Sequence, residues 1–309
     1  MKKDKILVRN SKITYADWTE LLFSFVVVLL SIFAFIIVAY PIYFILIASV
    51  SNANLVNQGQ VILLPRGINF YGYKQIFNDN RIWIGYANTI FYAVVGTFLN
   101  LAVTLPAAYT LSKKDFQCRR FIMAVFVFTL FFNGGMIPTY LLIKNLGLID
   151  TRWVMIIVGA VNVYNLIITR TFLETSIPNE LYEAAILDGC DHFRYFAKVV
   201  LPLSKAVISV IFLYYMVGHW NDFFNGLLYL NDNNLQPLQL VLRNILLANE
   251  AFKGGIASGA GEGLGSYAQQ YADQIKFAVI IVSTLPVICI YPFIQKYFEK
   301  GVLIGAIKG

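Results

Sequence analysis

Two short clusters of polar side chains interrupt otherwise apolar stretches of the chain. They are Asn162, Tyr164 and Asn165 in the first cluster and Asn221, Asp222 and Asn225 in the second. Amides and carboxylates can hydrogen-bond the hydroxyls of a polar ligand, and aromatic rings commonly line small-molecule sites. Polar groups at bilayer depth usually face a cavity or a partner. We interpret the second cluster first as satisfying backbone groups where a helix breaks, the alternative being that it lines a substrate pathway. The first cluster is likewise a candidate for such a pathway, although a tyrosine is more often lipid-facing or part of the core. All six residues are therefore candidate pathway residues.

Acidic and small residues follow one another in a polar segment between these clusters. Pro178 suits the first turn of a helix, Glu183 suits the positive end of its dipole, and Gly189 is a plausible end. Ala185 and Gly189 would share a face with Ala184 beside them, which would let another protein approach the backbone. We predict a docking helix. An amphipathic helix on the membrane surface fits less well, because anionic leaflets attract basic helices and this segment is acidic.

Neither catalysis nor metal binding is indicated by the remaining reactive residues. The two histidines, His192 and His219, are too few for most metal sites, and no nucleophile–base constellation accompanies them. Cys118, Cys190 and Cys289 have no metal-site or CxxC spacing, so we interpret them as packing residues. The sequence also lacks the G-x-x-x-x-G-K-[ST] phosphate loop. We predict no catalytic residue, no metal and no cofactor bound by this chain.

Long apolar helices must position these groups. The 309 residues are 58% hydrophobic and 13% charged, with a mean hydropathy of +0.66, whereas soluble domains are about 25% charged. A stretch of roughly 20 apolar residues spans a bilayer as a helix. The candidate stretches are Leu21–Val50, Ile84–Leu111, Phe121–Ile143, Trp153–Thr169, Val199–Leu230 and Phe277–Phe298. The sequence thus predicts an all-α membrane protein with six transmembrane helices, the first retained rather than removed as a signal peptide.

The distribution of lysine and arginine predicts which loops face the cytoplasm. Fifteen lie in the N-terminal segment, the loops after the second and fourth spans and the C-terminal tail, against seven in the other loops. The positive-inside rule therefore places both termini and the docking helix in the cytoplasm. The placement of the basic residues accounts for the net charge of +7 better than binding to nucleic acid would. The outer loop over residues 231–274 contains a glycine-rich run at Gly254–Gly265, which we expect to be flexible.

The docking segment resembles a loop of a known transporter family. Glu183-Ala184-Ala185, three residues, Gly189, nine residues and Val199-Val200-Leu201-Pro202 resemble the EAA loop of bacterial binding-protein-dependent ABC importers. The family pattern is EAA-x3-G-x9-I-x-L-P, from which Val199 is the one departure. Trp220-Asn221-Asp222-Phe223 and the ending from Lys300 onward resemble carbohydrate permeases. The segment Asn133–Leu141 resembles the branch that imports oligosaccharides or polysaccharide fragments.

The resemblance implies a type I ABC importer permease fold in a multi-pass protein of the bacterial cell membrane. Residues 1–20 would form a cytoplasmic segment and residues 21–50 the first transmembrane helix. Residues 83–292 would form the family's membrane domain, with the EAA loop at residues 170–202. Residues 293–309 would form a cytoplasmic tail.

The same resemblance implies partners and the residues that contact them. A second, homologous permease subunit would complete the pathway, two ATPase subunits would hold ATP and Mg²⁺, and an extracellular binding protein would deliver a sugar. The surroundings would be a lipid bilayer, and no nucleic acid is expected. The ATPase-docking residues would be Glu183, Ala184, Ala185, Asp188, Gly189, Leu201 and Pro202. In the tail, Gly305, Lys308 and Gly309 would also contact the ATPase subunits.

Two other classes of function remain open from the residues alone. Six spans also form half of some ion-coupled secondary transporters, which carry coupling charges within their spans. Asp222 is the candidate for such a charge here, and those carriers need no long docking loop. A membrane enzyme is the second alternative, and the missing catalytic constellation weighs against it.

Overall fold

The computed structural model describes residues 15–257, 274–289 and 292, and all regular structure among them is helical. This confirms the all-α prediction for the described part of the chain. The chain divides into two units, Met1–Phe70 and Tyr71–Gly309.

The first unit is dominated by the long helix α1 (Tyr15–Ser49), whose apolar side chains are exposed along most of its length. It is long and apolar enough to cross a membrane, and it coincides with the first predicted span. The loop after α2 (Ala53–Asn57) runs back along it. There the Tyr40 hydroxyl donates to the Ile62 carbonyl at 3.2 Å, and the Tyr43 hydroxyl donates to the Leu63 carbonyl.

The second unit contains the remaining helices. In chain order they are α3 (Tyr71–Asn78), α4 (Asn80–Ser112), α5 (Arg119–Phe131), α6 (Met136–Asn145), α7 (Val154–Ile157), α8 (Val163–Ser176), α9 (Asn179–Leu187), α10 (His192–Tyr195), α11 (Leu201–Leu203), α12 (Lys205–Trp220), α13 (Phe224–Tyr229), α14 (Leu238–Ala257) and α15 (Gln274–Cys289). A π-helical turn, Phe196–Val200, joins α10 to α11.

The central element of the second unit is α4, against which α8, α12 and α14 pack. Small and polar residues on α4 permit this close packing. A Cβ atom at Gly85 would lie 3.1 Å from the Cα atom of Leu238, and Thr89 Oγ1 accepts a hydrogen bond from the Leu238 N–H at 2.8 Å. The helix begins after Asp79, whose Oδ1 accepts from the Arg81 N–H at 3.0 Å. It coincides with the second predicted span.

The third predicted span, Phe121–Ile143, is not one helix. Its two halves, α5 and α6, meet at an angle of 114°. At the break Gly135 has a φ of +86°, and Asn133 Oδ1 accepts a hydrogen bond from the Gly135 N–H at 2.8 Å. Glycine and asparagine favour such turns. Local turn chemistry therefore overrides the apolar composition on which the prediction of a continuous helix rested.

The fourth and fifth predicted spans are interrupted as well. Trp153–Thr169 contains α7 and the start of α8, separated by a turn in which Gly159 has a φ of +78°. Val199–Leu230 contains an 82° bend between the helical run His192–Leu203 and α12. Among the described residues, two helices are long and apolar enough to cross a membrane, or four if each bent pair forms one span. The six-span topology stays a prediction.

The expectation of a flexible glycine-rich run is wrong at its start, because α14 (Leu238–Ala257) includes Gly254 and Gly255. Apolar residues near the start of α14 pack with α15 in one core, which explains why this part of the loop is ordered as a helix. The rest of the glycine-rich run lies outside the described residues. So does most of the sixth predicted span beyond Cys289.

Candidate functional site

All six candidate pathway residues line one cavity of about 850 Å³ in the second unit. We call it the pathway cavity. Its wall is built from the turn before α8, the end of α12, the break after α12 and the middle of α4. The structure therefore brings together two clusters that are about sixty residues apart in the sequence. It adds Asn100, Tyr214, Tyr215 and His219 to the same lining.

The first cluster stands where α8 begins inside the fold. Asn162 Oδ1 accepts a hydrogen bond from the Asn165 N–H at 3.1 Å and so caps α8. The Asn162 N–H donates to the Tyr215 hydroxyl at 3.2 Å, which is 2.7 Å from Thr104 Oγ1 of α4. The break before α8 is thus fixed to α4 and α12. Asn162 therefore caps a helix and also lines the cavity, and its part in a substrate pathway stays a prediction.

The second cluster stands at the break between α12 and α13. Asp222 Oδ1 accepts from the Asn225 N–H at 3.1 Å, and Asp222 Oδ2 accepts from Asn225 Nδ2 at 2.8 Å. Asn221 Nδ2 donates to the Val217 carbonyl at 3.0 Å. These bonds satisfy backbone groups at the break, as predicted for this cluster. The same three residues still form part of the cavity wall.

An amide–imidazole pair connects both breaks to α4. His219 Nε2 lies 3.1 Å from Asn100 Oδ1, while Asn100 Nδ2 donates to the Gly159 carbonyl at 3.4 Å. The imidazole ring fits because Gly96 has no side chain, since a Cβ atom there would lie 2.4 Å from His219 Nε2. Sequence reasoning missed Asn100. Its signal was an amide inside an apolar helix, one turn after a glycine.

Two groups of the pathway cavity are available to a ligand. The Asn165 side chain is 4% exposed, and within the described residues its amide forms no hydrogen bond. Tyr164 is 58% exposed and presents its ring and hydroxyl. Among the lining residues Asp222 is the one acidic side chain, and none is lysine or arginine. Such a wall suits the hydroxyl groups of a neutral polar ligand, with amides that can both donate and accept.

The docking helix, α9, forms close to its predicted position. Pro178 is the N-cap residue and not part of the first turn, so the helix begins at Asn179. Gly189 ends it with a φ of +71°. The Gly189 N–H donates to the Ile186 carbonyl at 2.9 Å and the Cys190 N–H donates to the Ala185 carbonyl at 2.9 Å, the bond pair of a Schellman motif. The backbone of this chain therefore favours glycine at position 189, independently of any partner.

The two sides of the docking helix differ in exposure. Tyr182 and Ala185 are partly buried and pack against the core around Tyr195. Glu183, Ala184, Asp188 and Gly189 are exposed, and so is Leu187 at 88%. Ala185 is thus less accessible than Gly189, and the small-residue face predicted for docking stays a prediction. The exposed surface carries acidic side chains together with the apolar side chains of Leu181, Ile186 and Leu187.

A lysine holds the docking helix against the end of α4. Lys113 Nζ lies 4.2 Å from the ring centroid of Tyr182 and 5.0 Å from those of Tyr109 and Tyr195. We call this cluster the lysine cage. Burial lowers the pKa of the Lys113 ammonium, and nearby Asp115 opposes that shift. Cation–π attraction therefore links α4 to α9 directly. Sequence reasoning missed this link, whose partial signal is the i, i+4 spacing of Tyr109 and Lys113.

The other predicted docking residues have different positions. Leu201 is partly buried and Pro202 is exposed, both in α11 at the bend before α12. Buried Val200 anchors this segment in the same core as the docking helix. The tail residues Gly305, Lys308 and Gly309 lie outside the described residues. No group of three or more possible metal ligands occurs in the described part of the chain.

Comparison with known proteins identifies relatives along nearly the whole chain. Residues 16–304 match the family described as binding-protein-dependent transport system inner membrane component. The chain is 38% identical over 274 residues to the polygalacturonan/rhamnogalacturonan transport system permease protein YtcP of Bacillus subtilis (strain 168), covering 89% of this chain and 94% of that protein. It is 39% identical over 269 residues to protein LplC of the same organism, covering 87% and 89%.

A solved structure has a similar fold. It is the crystal structure of a bacterial ABC transporter involved in the import of the acidic polysaccharide alginate. The match has a TM-score of 0.79 and 35% sequence identity, and it covers 94% of this chain and 100% of that chain.

Proposed function

Because the chain belongs to the family of binding-protein-dependent transport system inner membrane components, we propose that it forms half of the membrane pathway of an ATP-driven oligosaccharide importer. Its fold is the all-helical type I ABC permease fold, and its relatives include sugar transport permeases. The observation that carries the proposal is the pathway cavity, which collects all six candidate pathway residues at two helix breaks. Polar groups at broken helices near the middle of a transporter are typical of substrate sites.

The substrate class follows from the lining and from the relatives. The names of the similar proteins refer to polygalacturonan, rhamnogalacturonan and alginate, all of them polymers of sugars. Amide and tyrosine groups in the cavity suit sugar hydroxyls, and about 850 Å³ lies within the usual size range of small-ligand sites. The Asp222 carboxylate is already bonded to Asn225. This subunit would therefore recognise the hydroxyl groups of the sugar.

Coupling to ATP hydrolysis would pass through the docking helix. Its exposed side carries Glu183, Ala184, Leu187 and Gly189, and the apolar leucine suits burial against a partner. The partner would be a separate ATPase that holds ATP and Mg²⁺, since this chain has no phosphate loop. An extracellular binding protein would deliver the sugar. Both termini and the docking helix would lie in the cytoplasm of a bacterial cell.

Uptake of a labelled oligosaccharide by the reconstituted transporter, with its ATPase and binding protein, tests the pathway role. Asn165→Leu replaces an unbonded amide in the cavity by an apolar side chain of the same branching, and we expect uptake to fall at least tenfold. Asn145→Leu makes the same change on the exposed end of α6, outside the cavity, and serves as the matched control. Wild-type uptake by Asn165→Leu would contradict the proposal. Loss in both variants would point to a general defect and would equally contradict it.

A further inference from the structure

A second cavity, of about 390 Å³, lies between α5 and α8 and shares no lining residue with the pathway cavity. Its lining residues are Arg119, Arg120, Met123, Ala124, Val127 and Arg170. We call it the arginine groove. Three guanidinium groups stand at one end, and apolar side chains from two successive turns of α5 continue from them. The groove therefore has a cationic head and an apolar body.

The cationic end keeps positive charge after its internal ion pairs are counted. Arg119 Nη1 and Arg170 Nη2 both contact the Glu174 carboxylate, at 3.3 Å and 2.6 Å. One carboxylate therefore faces two guanidinium groups. Arg120 is exposed and has no carboxylate partner among the described residues.

The start of α5 adds to this positive potential. The N-cap residue Cys118 makes no side-chain capping bond, and the first turn contains no acidic residue. The positive end of the helix dipole is therefore not offset by a side chain of its own helix. Any anion bound by the arginines would also face this helix end.

The apolar end of the arginine groove follows the helix. The lining residues contributed by α5 lie on one face of that helix, because they recur every three to four positions, at 119, 120, 123, 124 and 127. Further along the helix Phe128 and Phe131 are exposed. In a membrane protein, arginines at the start of such an apolar helix lie at the boundary between headgroups and acyl chains. A ligand here would meet guanidinium groups at one end and hydrocarbon along the rest.

We propose that the arginine groove binds one anionic phospholipid, with its phosphate on the arginines and an acyl chain along Met123, Ala124 and Val127. Guanidinium groups bind phosphate oxygens in a bidentate manner, which gives Arg120 a partner that the described part of the protein does not supply. Basic pockets between transmembrane helices are typical of bound acidic lipids. The Arg170 Nε–H also donates to the Leu111 carbonyl at 3.2 Å. The bound lipid would therefore stabilise the junction of α4, α5 and α8.

The test measures retained phosphatidylglycerol after the full transporter complex is reconstituted in vesicles of phosphatidylglycerol and phosphatidylcholine and purified again. Arg120→Gln removes the unpaired charge, and we expect the affinity to fall about fivefold, the usual effect of one basic residue near a membrane surface. Ala124→Trp fills the apolar part without changing charge and should reduce retention as well. Lys144→Gln, an exposed basic residue on α6, is the control and should retain the wild-type amount.

Three results would overturn the proposal. Retention in Arg120→Gln equal to that of Lys144→Gln would show that the arginines bind no lipid. Retention lost in Arg120→Gln but unaffected by Ala124→Trp, with displacement by soluble glycerol phosphate, would show a phosphate site only. Dissociation of the second permease subunit from either variant, without a change in bound lipid, would show that a protein covers the groove. Loss of lipid in both variants within an intact complex supports the proposal.

Discussion

Substitutions at Gly189 separate two reasons for a glycine at the end of the docking helix. The first reason is conformational, because the φ of +71° costs an L-residue such as alanine about 1–2 kcal/mol. Asparagine adopts this conformation more readily than other residues with a side chain. The second reason would be close approach of the ATPase. A Cβ atom at Gly189 meets nothing within 4 Å in the described chain, so a steric effect of alanine at this position would have to come from a partner.

The two reasons predict opposite orders of damage. If conformation alone matters, Gly189→Ala should reduce coupling to the ATPase more than Gly189→Asn does. Gly189→Phe should then reduce it about as much as Gly189→Ala. Docking makes the damage increase with size, from alanine through asparagine to phenylalanine. Overpacking a fitted interface by about 1–3 kcal/mol would weaken coupling roughly 5- to 150-fold. We expect the order set by size.

Two measurements on the reconstituted complex decide between these orders. One is recovery of the ATPase with the tagged permease, and the other is ATP hydrolysis stimulated by the sugar-loaded binding protein. Each variant is first checked for the wild-type amount of permease in the membrane, which excludes failed insertion. Nearly wild-type coupling in Gly189→Asn together with impaired coupling in Gly189→Ala would refute the docking argument. It would leave Gly189 as a helix stop alone.

Three further predictions concern α4, the lysine cage and topology. Gly96→Ala should lower the melting temperature, because its Cβ atom would lie 2.4 Å from His219 Nε2. Gly218→Ala, which has open space around it, should leave the melting temperature unchanged. Equal melting temperatures of the two variants would contradict this packing. Lys113→Met should speed hydrogen exchange in the docking helix, because the cation–π attraction of about 0.5–2 kcal/mol needs a charged side chain. Lys113→Arg keeps the charge and should preserve most of the protection against exchange. An arginine variant that exchanges as fast as the methionine variant would argue against that attraction. Reporter fusions in the docking helix should be cytoplasmic, and those in the loop between α2 and α3 extracellular; the reverse pattern would overturn the assigned orientation.

Composition was enough to predict the unbroken helices and to identify the polar clusters. The apolar run of α1 and the apolar, glycine-containing run of α4 extend without a turn motif, and both helices lie where predicted. Hydropathy averaged over twenty residues concealed the breaks at Gly135 and before α8, because one capping asparagine and one glycine change such an average little. The signals were local and lay in the printed sequence.

Contacts between distant segments could not be predicted from the sequence. The hydrogen bond between Asn100 and His219 joins residues that are 119 positions apart in the sequence. The residues around either one give no indication of its partner. The inward direction of Ala185 depends on the core around Tyr195, which forms only when several helices have packed. Helix periodicity identified which residues share a face, whereas tertiary packing decides which face is buried.

The proline in α4 has a mechanical consequence for the helix that bears both sites. The lysine cage lies at one end of α4, and Asn100 lies roughly 20 Å away along its axis at the usual helical rise. If α4 moved as a rigid body, a shift of the docking helix at one end would rotate the part of α4 that lines the cavity. Pro106 lies between the lysine cage and Asn100 and has no N–H to donate to the Ala102 carbonyl. The helix α4 therefore bends most easily at Pro106. If the docking helix moves during transport, the stiffness of that turn would set how far the movement reaches the bridge between Asn100 and His219.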